Sequence, residues 1–145
     1  MTSASPARGR VLAAAGAVLA GLFVILLLPT GDVPSTVVQA VSRSLRHEGA
    51  PIWLSAPSLW ERLLNVALFV PVGAVLALLV PRWPVVGVTL LGFAGSLAFE
   101  AVQANLLPGR DGSWWDVATN TAGTLLGAAV VSLTRLRSGR GASQT

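Results

Sequence analysis

Polar and ionisable side chains lie within the last three apolar segments of this chain and in the turn between the last two. The set consists of Asn65, Glu100, Gln103, Arg110, Asp116 and Asn120. Polar groups are costly to bury in hydrocarbon, so each of them needs a partner or a role. Carboxylates, a guanidinium and amides together can perform acid–base chemistry, bind a hard cation through oxygen, or orient a polar ligand.

Glu100 gives the strongest of these signals. It lies about two turns, roughly 10 Å, inside the end of a predicted apolar helix, where an isolated carboxylate would be desolvated. Arg110, in the following turn, is the cation nearest to it in the sequence. The two residues predict either an ion pair that fixes helix packing or a functional site, and the sequence allows both.

The other polar residues have structural alternatives. Ser113-Trp114-Trp115-Asp116 has the form of a capping box, in which Asp116 would satisfy a helix N-terminus with or without a further role. Gln103 and Asn120 could each satisfy a neighbouring helix through one side-chain hydrogen bond.

The composition places these residues in a membrane protein. The chain has 145 residues, of which 53% are hydrophobic and 11% charged, which is too apolar for a soluble domain of this size. It has no cysteine and one histidine, His47, so thiolate and histidine-rich metal sites are excluded. Nucleophile elbows and phosphate-cradling loops are also missing from the sequence. We therefore predict neither a metal nor a cofactor, and leave open whether the chain is an enzyme.

The net charge of +4 does not indicate nucleic-acid binding. All ten basic residues are arginines, and they are spread over the termini and turns rather than gathered on one face. We expect membrane lipids, not nucleic acid, as partners.

Four apolar segments must position the polar set. They cover residues 11–28, about 63–80, 85–107 and about 115–133, and about 20 residues suffice to cross a bilayer. We interpret the first as a retained helix, because no small-x-small cleavage site follows it at the right distance. The second is predicted to begin at a capping box formed by Ser58 and Glu61 and to bend at Pro71.

A short amphipathic helix is predicted between the first and second spans. Val37, Val38, Val41 and Leu45 recur at helical spacing, with polar residues on the opposite side. Such a helix would lie in the membrane interface; a surface loop with one helical turn is the alternative.

Small and polar residues form one stripe on each of the last two spans. The stripes are Gly92, Ser96, Glu100 and Gln103 on the third span, and Asp116, Asn120, Gly123 and Gly127 on the fourth. Asn65, Phe69 and Gly73 likewise share one face of the second span. We predict that the two stripes pack the third span against the fourth.

The arginines favour cytoplasmic termini, because more of them flank the termini and the Arg82 turn than the opposite ends of the spans. The predicted fold is an all-α, integral membrane four-helix bundle with a short interfacial helix between spans one and two. Its parts are a cytoplasmic tail (1–10), a first transmembrane helix (11–28), an extracytoplasmic segment (29–57), a three-span domain (58–135) and a second cytoplasmic tail (136–145). The polar set would then converge on one extracytoplasmic pocket.

The order of these motifs resembles the VanZ-like family of small bacterial membrane proteins. The motifs are Asn65-Val-Ala-Leu-Phe69-Val-Pro71-Val-Gly73, Ser96-x-x-x-Glu100-x-x-Gln103, Pro108-Gly109-Arg110 and Asp116-x-x-x-Asn120-x-x-Gly123. The founding member is associated with low-level resistance to teicoplanin, a glycopeptide that carries a fatty acyl chain. The resemblance implies that residues 58–135 form a VanZ-like domain in the cell membrane. It also implies a lipid-linked cell-wall precursor or a lipoglycopeptide as a partner.

Three functions follow from these observations. Binding or remodelling of an amphiphile at the outer leaflet is favoured, because the polar set can orient a headgroup but includes no recognisable activated nucleophile. An intramembrane enzyme acting on a headgroup, with Glu100 and Asp116 as candidate catalytic residues, is the first alternative. A structural or assembly subunit is the second.

Overall fold

The computed structural model describes residues 32–106 and 113–142, together with residues 13, 16, 17 and 21. The described ranges contain four helices and no strand, which confirms the all-α prediction. They are α1 (Asp32–His47), α2 (Pro57–Leu79), α3 (Val85–Leu106) and α4 (Trp114–Ala142). The predicted first span, 11–28, lies almost entirely outside the described residues.

Three of these helices are long and apolar enough to cross a membrane. The spans are Pro57–Leu79, Val85–Val102 and Trp114–Ser138, against a requirement of about 20 residues. Most side chains in each span face outward, and many of them are leucine and valine. The chain is therefore a multi-pass membrane protein whose outward surface suits lipid.

The helix ends differ from the predicted ones at several points. α2 begins at Pro57, and the residue before it, Ala56, makes no side-chain capping hydrogen bond. The predicted capping box at Ser58 and Glu61 is therefore wrong, because proline is suited to the first helical position and starts the helix earlier. At the other end of the chain, α4 continues to Ala142, well past its predicted end near residue 133.

The α1 helix exists where an amphipathic helix was expected. It begins at Asp32, and its Val38 is buried while Val37 is 49% exposed. α1 packs against α2. Its position in a membrane interface stays a prediction.

α2 and α4 run parallel and touch at the level of the backbone. A Cβ atom added at Gly73 would collide with the carbonyl oxygen of Thr124, and one at Gly127 would collide with that of Val70. A Cβ atom added at Gly123 would likewise collide with the carbonyl oxygen of Val66. Glycine alone permits this approach, which brings Cα–H groups near facing carbonyl oxygens. Of the helix pairs in the described ranges, α2 and α4 share the largest interface.

This arrangement corrects one prediction about the stripes. Gly123 and Gly127 meet α2, not the third span as the sequence suggested. α3 runs antiparallel to α4 and approaches it through Gly92, whose added Cβ would lie 2.7 Å from Thr124 Oγ1. α4 thus packs against two helices. Its glycines contact α2, and its hydroxyl and amide side chains contact α3.

Arg135 closes the end of the bundle that lies away from the polar set. Its Nη2 donates to the carbonyl oxygen of Ala77 at 3.0 Å, and its Nη1 donates to that of Pro81 at 3.5 Å. These carbonyls belong to the last turn of α2 and the residues after it, which lack helical partners. The arginine therefore caps α2 from α4.

Candidate functional site

Polar side chains from three helices meet where α2 and α4 begin and α3 ends. Asn65 Nδ2 on α2 donates a hydrogen bond of 2.9 Å to Asp116 Oδ1 on α4. Because both residues lie near the beginnings of parallel helices, this bond joins the same end of each. Asp116 is in the first turn of α4, where the helix dipole favours a carboxylate.

Glu100 reaches the same end from α3. Its side chain is 7% exposed, and its Oε2 accepts the backbone N–H of Ser113 at 2.9 Å. Ser113 precedes α4, and its Oγ accepts the backbone N–H of Asp116 at 3.3 Å. The serine half of the predicted capping box is therefore confirmed, and a carboxylate from another helix binds the capping residue.

These contacts form one connected unit, which we call the polar chain: Glu100, Ser113, Asp116 and Asn65. It crosses from α3 through the start of α4 to α2. Each link is a part-buried hydrogen bond, and losing a partner would leave a partly desolvated polar group unbonded. The polar chain consequently fixes three helices relative to one another at one end of the bundle.

A second polar pair lies one turn deeper. Asn120 Nδ2 donates to Ser96 Oγ at 3.0 Å, and the two residues are 3% and 2% exposed. Asn120 Oδ1 is buried and has no hydrogen-bond partner among the described residues. A buried acceptor in this state costs about 1–3 kcal/mol, so the pair stabilises the α3–α4 contact incompletely.

A groove opens beside Glu100 between α3 and α4. Its volume is about 210 Å³, and its lining consists of Leu97, Glu100, Ala101, Ala104, Ser113, Trp114 and Val117. Most of this wall is apolar, and Glu100 and Ser113 supply its polar groups. Trp114 is 74% exposed at the mouth, a position typical of an indole ring at the headgroup level of a bilayer.

A cation lies at this end of α2. The guanidinium of Arg62 stacks over the ring of Trp115, with 4.2 Å between its Cζ and the ring centroid. Arg62 is one turn before Asn65, and Trp115 is next to Asp116. A cation–π contact at an exposed position contributes about 0.5–1 kcal/mol. In the sequence, Arg62 is only one of the ten arginines whose distribution orients the spans.

The predicted site residues fall into two groups. Asn65, Glu100, Asp116 and Asn120 lie on the described helices and converge on one end, although Asn65 and Asp116 bond to each other and Asn120 bonds to Ser96. The side chain of Gln103 and the whole of Arg110 lie outside the described residues, and so does the predicted contact between Glu100 and Arg110.

Ser113 and Ser96 are the residues that sequence reasoning underestimated. Ser113 had been assigned a cap and Ser96 a small packing residue, yet each also accepts or donates a hydrogen bond between helices. The sequence signal for Ser96 was its spacing, because it is four residues before Glu100 and therefore lies on the same face of the helix. Other buried polar groups near that face would need hydrogen-bond partners. In the described ranges, acidic and histidine side chains form no group of three or more that could hold a metal ion.

Comparison with known proteins identifies a family. The sequence model of the VanZ/LLP1 family matches residues 9–135. Neither a curated protein nor a solved structure shows a significant match. The matched range contains α1, α2, α3, most of α4 and every residue of the polar chain.

Proposed function

Because this chain belongs to the VanZ-like family of membrane proteins, we propose that it binds or remodels an amphiphilic or lipid-linked component of the cell envelope at the outer leaflet. The observation that supports this function most directly is the position of the polar chain beside an open, largely apolar groove. Since the founding member of the family is associated with teicoplanin resistance, altered susceptibility to lipoglycopeptides is the phenotype that we expect.

The groove suits a ligand that is apolar over most of its length. Leu97, Ala101 and Ala104 are exposed and offer a surface for an acyl segment, while Glu100 and Ser113 offer oxygen atoms at one point of the wall. Pockets of this kind derive affinity from apolar contact and orientation from a few polar groups. An amphiphile would therefore place its chain along the groove and its headgroup toward the start of α4.

The headgroup needs a cation if it bears phosphate or carboxylate. We assign this contact to Arg110, with Arg62 as a second cation at the same end of the bundle. Glu100 would orient the arginine or accept a proton. Gln103, Asn65, Asp116 and Asn120 complete the proposed site, and the mutual bonds of Asn65 and Asp116 make them positioning residues.

We further propose that the site faces outward and that both termini are cytoplasmic. Arg135 and Arg137 lie toward the end of α4 that is remote from the polar chain, and Arg82 lies in the α2–α3 turn at that same end. Arginine is enriched on the cytoplasmic side of membrane proteins, which supports this orientation.

Two other functions each have some support. A buried carboxylate at the wall of a groove is what a carboxylate-dependent intramembrane enzyme would require, with Glu100 as acid or base and Asp116 nearby. A structural or assembly subunit would require only that the polar chain hold the helices together, as its bonds can do.

Glu100→Gln and Arg110→Gln separate these functions, with Glu61→Gln as a control that removes an exposed carboxylate from α2. Glutamine can still accept the Ser113 N–H, so the fold should persist while the charge is lost. The three variants and the parent would be expressed at matched levels. Susceptibility to teicoplanin and to a glycopeptide without an acyl chain would be measured, with mass spectrometry of lipid-linked precursors.

Binding would be supported if the lipid-linked precursors are the same in all strains and teicoplanin susceptibility differs between the parent and the Glu100→Gln and Arg110→Gln variants. A precursor that appears or disappears with Glu100 would instead indicate the enzyme. If both variants match the parent and the Glu61→Gln control in every assay, the proposed site is wrong.

A further inference from the structure

A second groove lies between α1 and the beginning of α2, and the proposed function makes no use of it. Its volume is about 220 Å³, and it is lined by Gln39, Ser42, Arg43, Arg46 and Pro57. This lining differs from that of the groove beside Glu100, because two guanidinium groups and a hydroxyl are gathered in one place. A lining of this type suits an anion.

Ser42 is the buried polar group of this groove. It is 3% exposed, and its Oγ has no hydrogen-bond partner among the described residues. Buried hydroxyl groups are nearly always bonded to protein, water or a ligand, so the Ser42 hydroxyl in the wall of this groove is open to a ligand atom. Ser42 could donate its O–H to such an atom.

The two arginines can provide the charge. Arg43 Nε donates to the carbonyl oxygen of Gln39 at 3.2 Å, which orients the guanidinium and leaves its terminal nitrogens available for other acceptors. Neither Arg43 nor Arg46 forms an ion pair with a carboxylate within the described part of the chain. A planar guanidinium binds phosphate oxygens in pairs, which a lone ammonium cannot do.

The start of α2 adds to the positive character. Pro57 is the first residue of the helix and lines the groove, and Ala56 before it makes no side-chain capping hydrogen bond. The first turn of α2 contains no acidic residue. The end of a helix where N–H groups point outward favours an anion.

We propose that this groove is a phosphate-binding site formed by Ser42, Arg43 and Arg46. The phosphate is carried by an anionic lipid headgroup or is free in solution, and both present the same oxygens to the site. The proposal is independent of the function assigned to Glu100, because the two grooves share no lining residue. A lipid headgroup bound here would hold α1 at the membrane surface.

Ser42→Ala is the decisive variant, because the structural and the ligand-binding roles predict different results. Removing a buried hydroxyl that has no partner should leave thermal stability unchanged or raise it. If the hydroxyl binds phosphate, affinity should fall about tenfold, the loss expected for one hydrogen bond to a charged group. Arg43→Gln and Arg46→Gln should each weaken binding at least as much, whereas Arg82→Gln, in the α2–α3 turn, serves as a control for loss of one positive charge.

The full-length protein and these variants would be purified in a non-ionic detergent. Binding of phosphatidylglycerol in mixed micelles would be measured by native mass spectrometry, and binding of inorganic phosphate by calorimetry. Binding of phosphatidylglycerol that is equal in the parent and Arg82→Gln, but about tenfold weaker or more in Ser42→Ala, Arg43→Gln and Arg46→Gln, supports a lipid headgroup. The same pattern with inorganic phosphate alone supports the free ion. Equal binding by all five proteins, or no binding of either probe by the parent, overturns the proposal.

Discussion

Asn65 on α2 and Asp116 on α4 are 51 positions apart in the sequence, and a hydrogen bond of 2.9 Å joins them. The amide donates from about two turns inside α2, and the carboxylate accepts in the first turn of the parallel helix α4. Farther along, the same two helices touch where Gly73 faces Thr124. The hydrogen bond and the glycine contact therefore align α2 with α4 at two levels. A shift in the register of the two helices would disrupt both contacts.

The first prediction tests this bond. Asn65→Leu removes the donor to Asp116 and should lower the free energy of unfolding in detergent by about 1–2 kcal/mol, between typical values for membrane hydrogen bonds and for bonds to charged groups. Asp116→Leu and the double variant complete a double-mutant cycle. We expect a coupling of at least about 0.5 kcal/mol. Strictly additive losses would mean that the bond contributes nothing.

The second prediction concerns the backbone contact. Gly73→Ala forces a Cβ atom onto the Thr124 carbonyl and should reduce both the melting temperature and the amount of folded protein in membranes. Gly95→Ala is the matched control, because a Cβ there meets no atom within 4 Å and alanine favours helix by up to about 1 kcal/mol. Opposite effects of the two alanines would confirm the close approach of α2 and α4. Gly73→Ala with the stability of the parent would contradict it.

The sequence predicted which face of each helix is buried more reliably than which neighbour that face meets. Four-residue spacing correctly grouped Asn65 with Phe69 and Gly73, and both of the latter are buried. The same spacing grouped Gly123 and Gly127 on α4, yet these glycines contact α2 and not α3. A stripe of small residues predicts only that the backbone of some neighbouring helix approaches closely. It does not identify that helix, because several helices can present a matching surface.

Pairing of the polar groups was predictable only in part. The depth of Glu100 within an apolar segment required a partner, and the structure provides the Ser113 N–H as one of them. The sequence directed attention to side chains of opposite charge, since a backbone donor has no signature in residue type. The start of α2 was missed for a related reason, as the signal at Ser58 and Glu61 competed with Pro57, which begins the helix.

The third prediction concerns the deeper pair. Ser96→Ala removes the partner of the Asn120 amide in a fully buried position and should cost about 1–3 kcal/mol in the free energy of unfolding. Ser58→Ala, at an exposed position of α2, should change little. Combining Ser96→Ala with Asn120→Leu should recover part of the loss, because no polar group is then left unbonded. Failure of the double variant to recover any stability would show that the hydrogen bond is not the cause.

The fourth prediction tests the cap on α2. Arg135→Gln removes the donor to the Ala77 carbonyl and should lower the melting temperature, since a net hydrogen bond contributes about 0.5–1.5 kcal/mol. Arg137→Gln removes the same charge from an exposed side chain of the same helix turn and is the control. If the two variants have the same melting temperature, the loss of stability comes from the lost charge and not from the hydrogen bond.

The last prediction fixes the side of the membrane that the polar chain faces. The sequence contains no cysteine, so one introduced cysteine is a unique label. Ser55 in the α1–α2 connection is buried and bonds to the carbonyl oxygens of Ala50 and Pro51, which makes it a poor position for labelling. Ile52, in the same connection, is 91% exposed, and Trp83, in the α2–α3 turn, is 52% exposed.

With cytoplasmic termini, the α1–α2 connection lies outside the cell and the α2–α3 turn lies inside. An impermeant thiol reagent added to intact cells should therefore label Ile52→Cys at once and Trp83→Cys only after the membrane is permeabilised. Arg82 beside the second position is left in place, so that the arginine bias that sets orientation is preserved. Labelling of Trp83→Cys in intact cells, with Ile52→Cys protected, would turn the polar chain and both grooves toward the cytoplasm. An antibiotic that acts outside the cell could then not be the ligand at either groove.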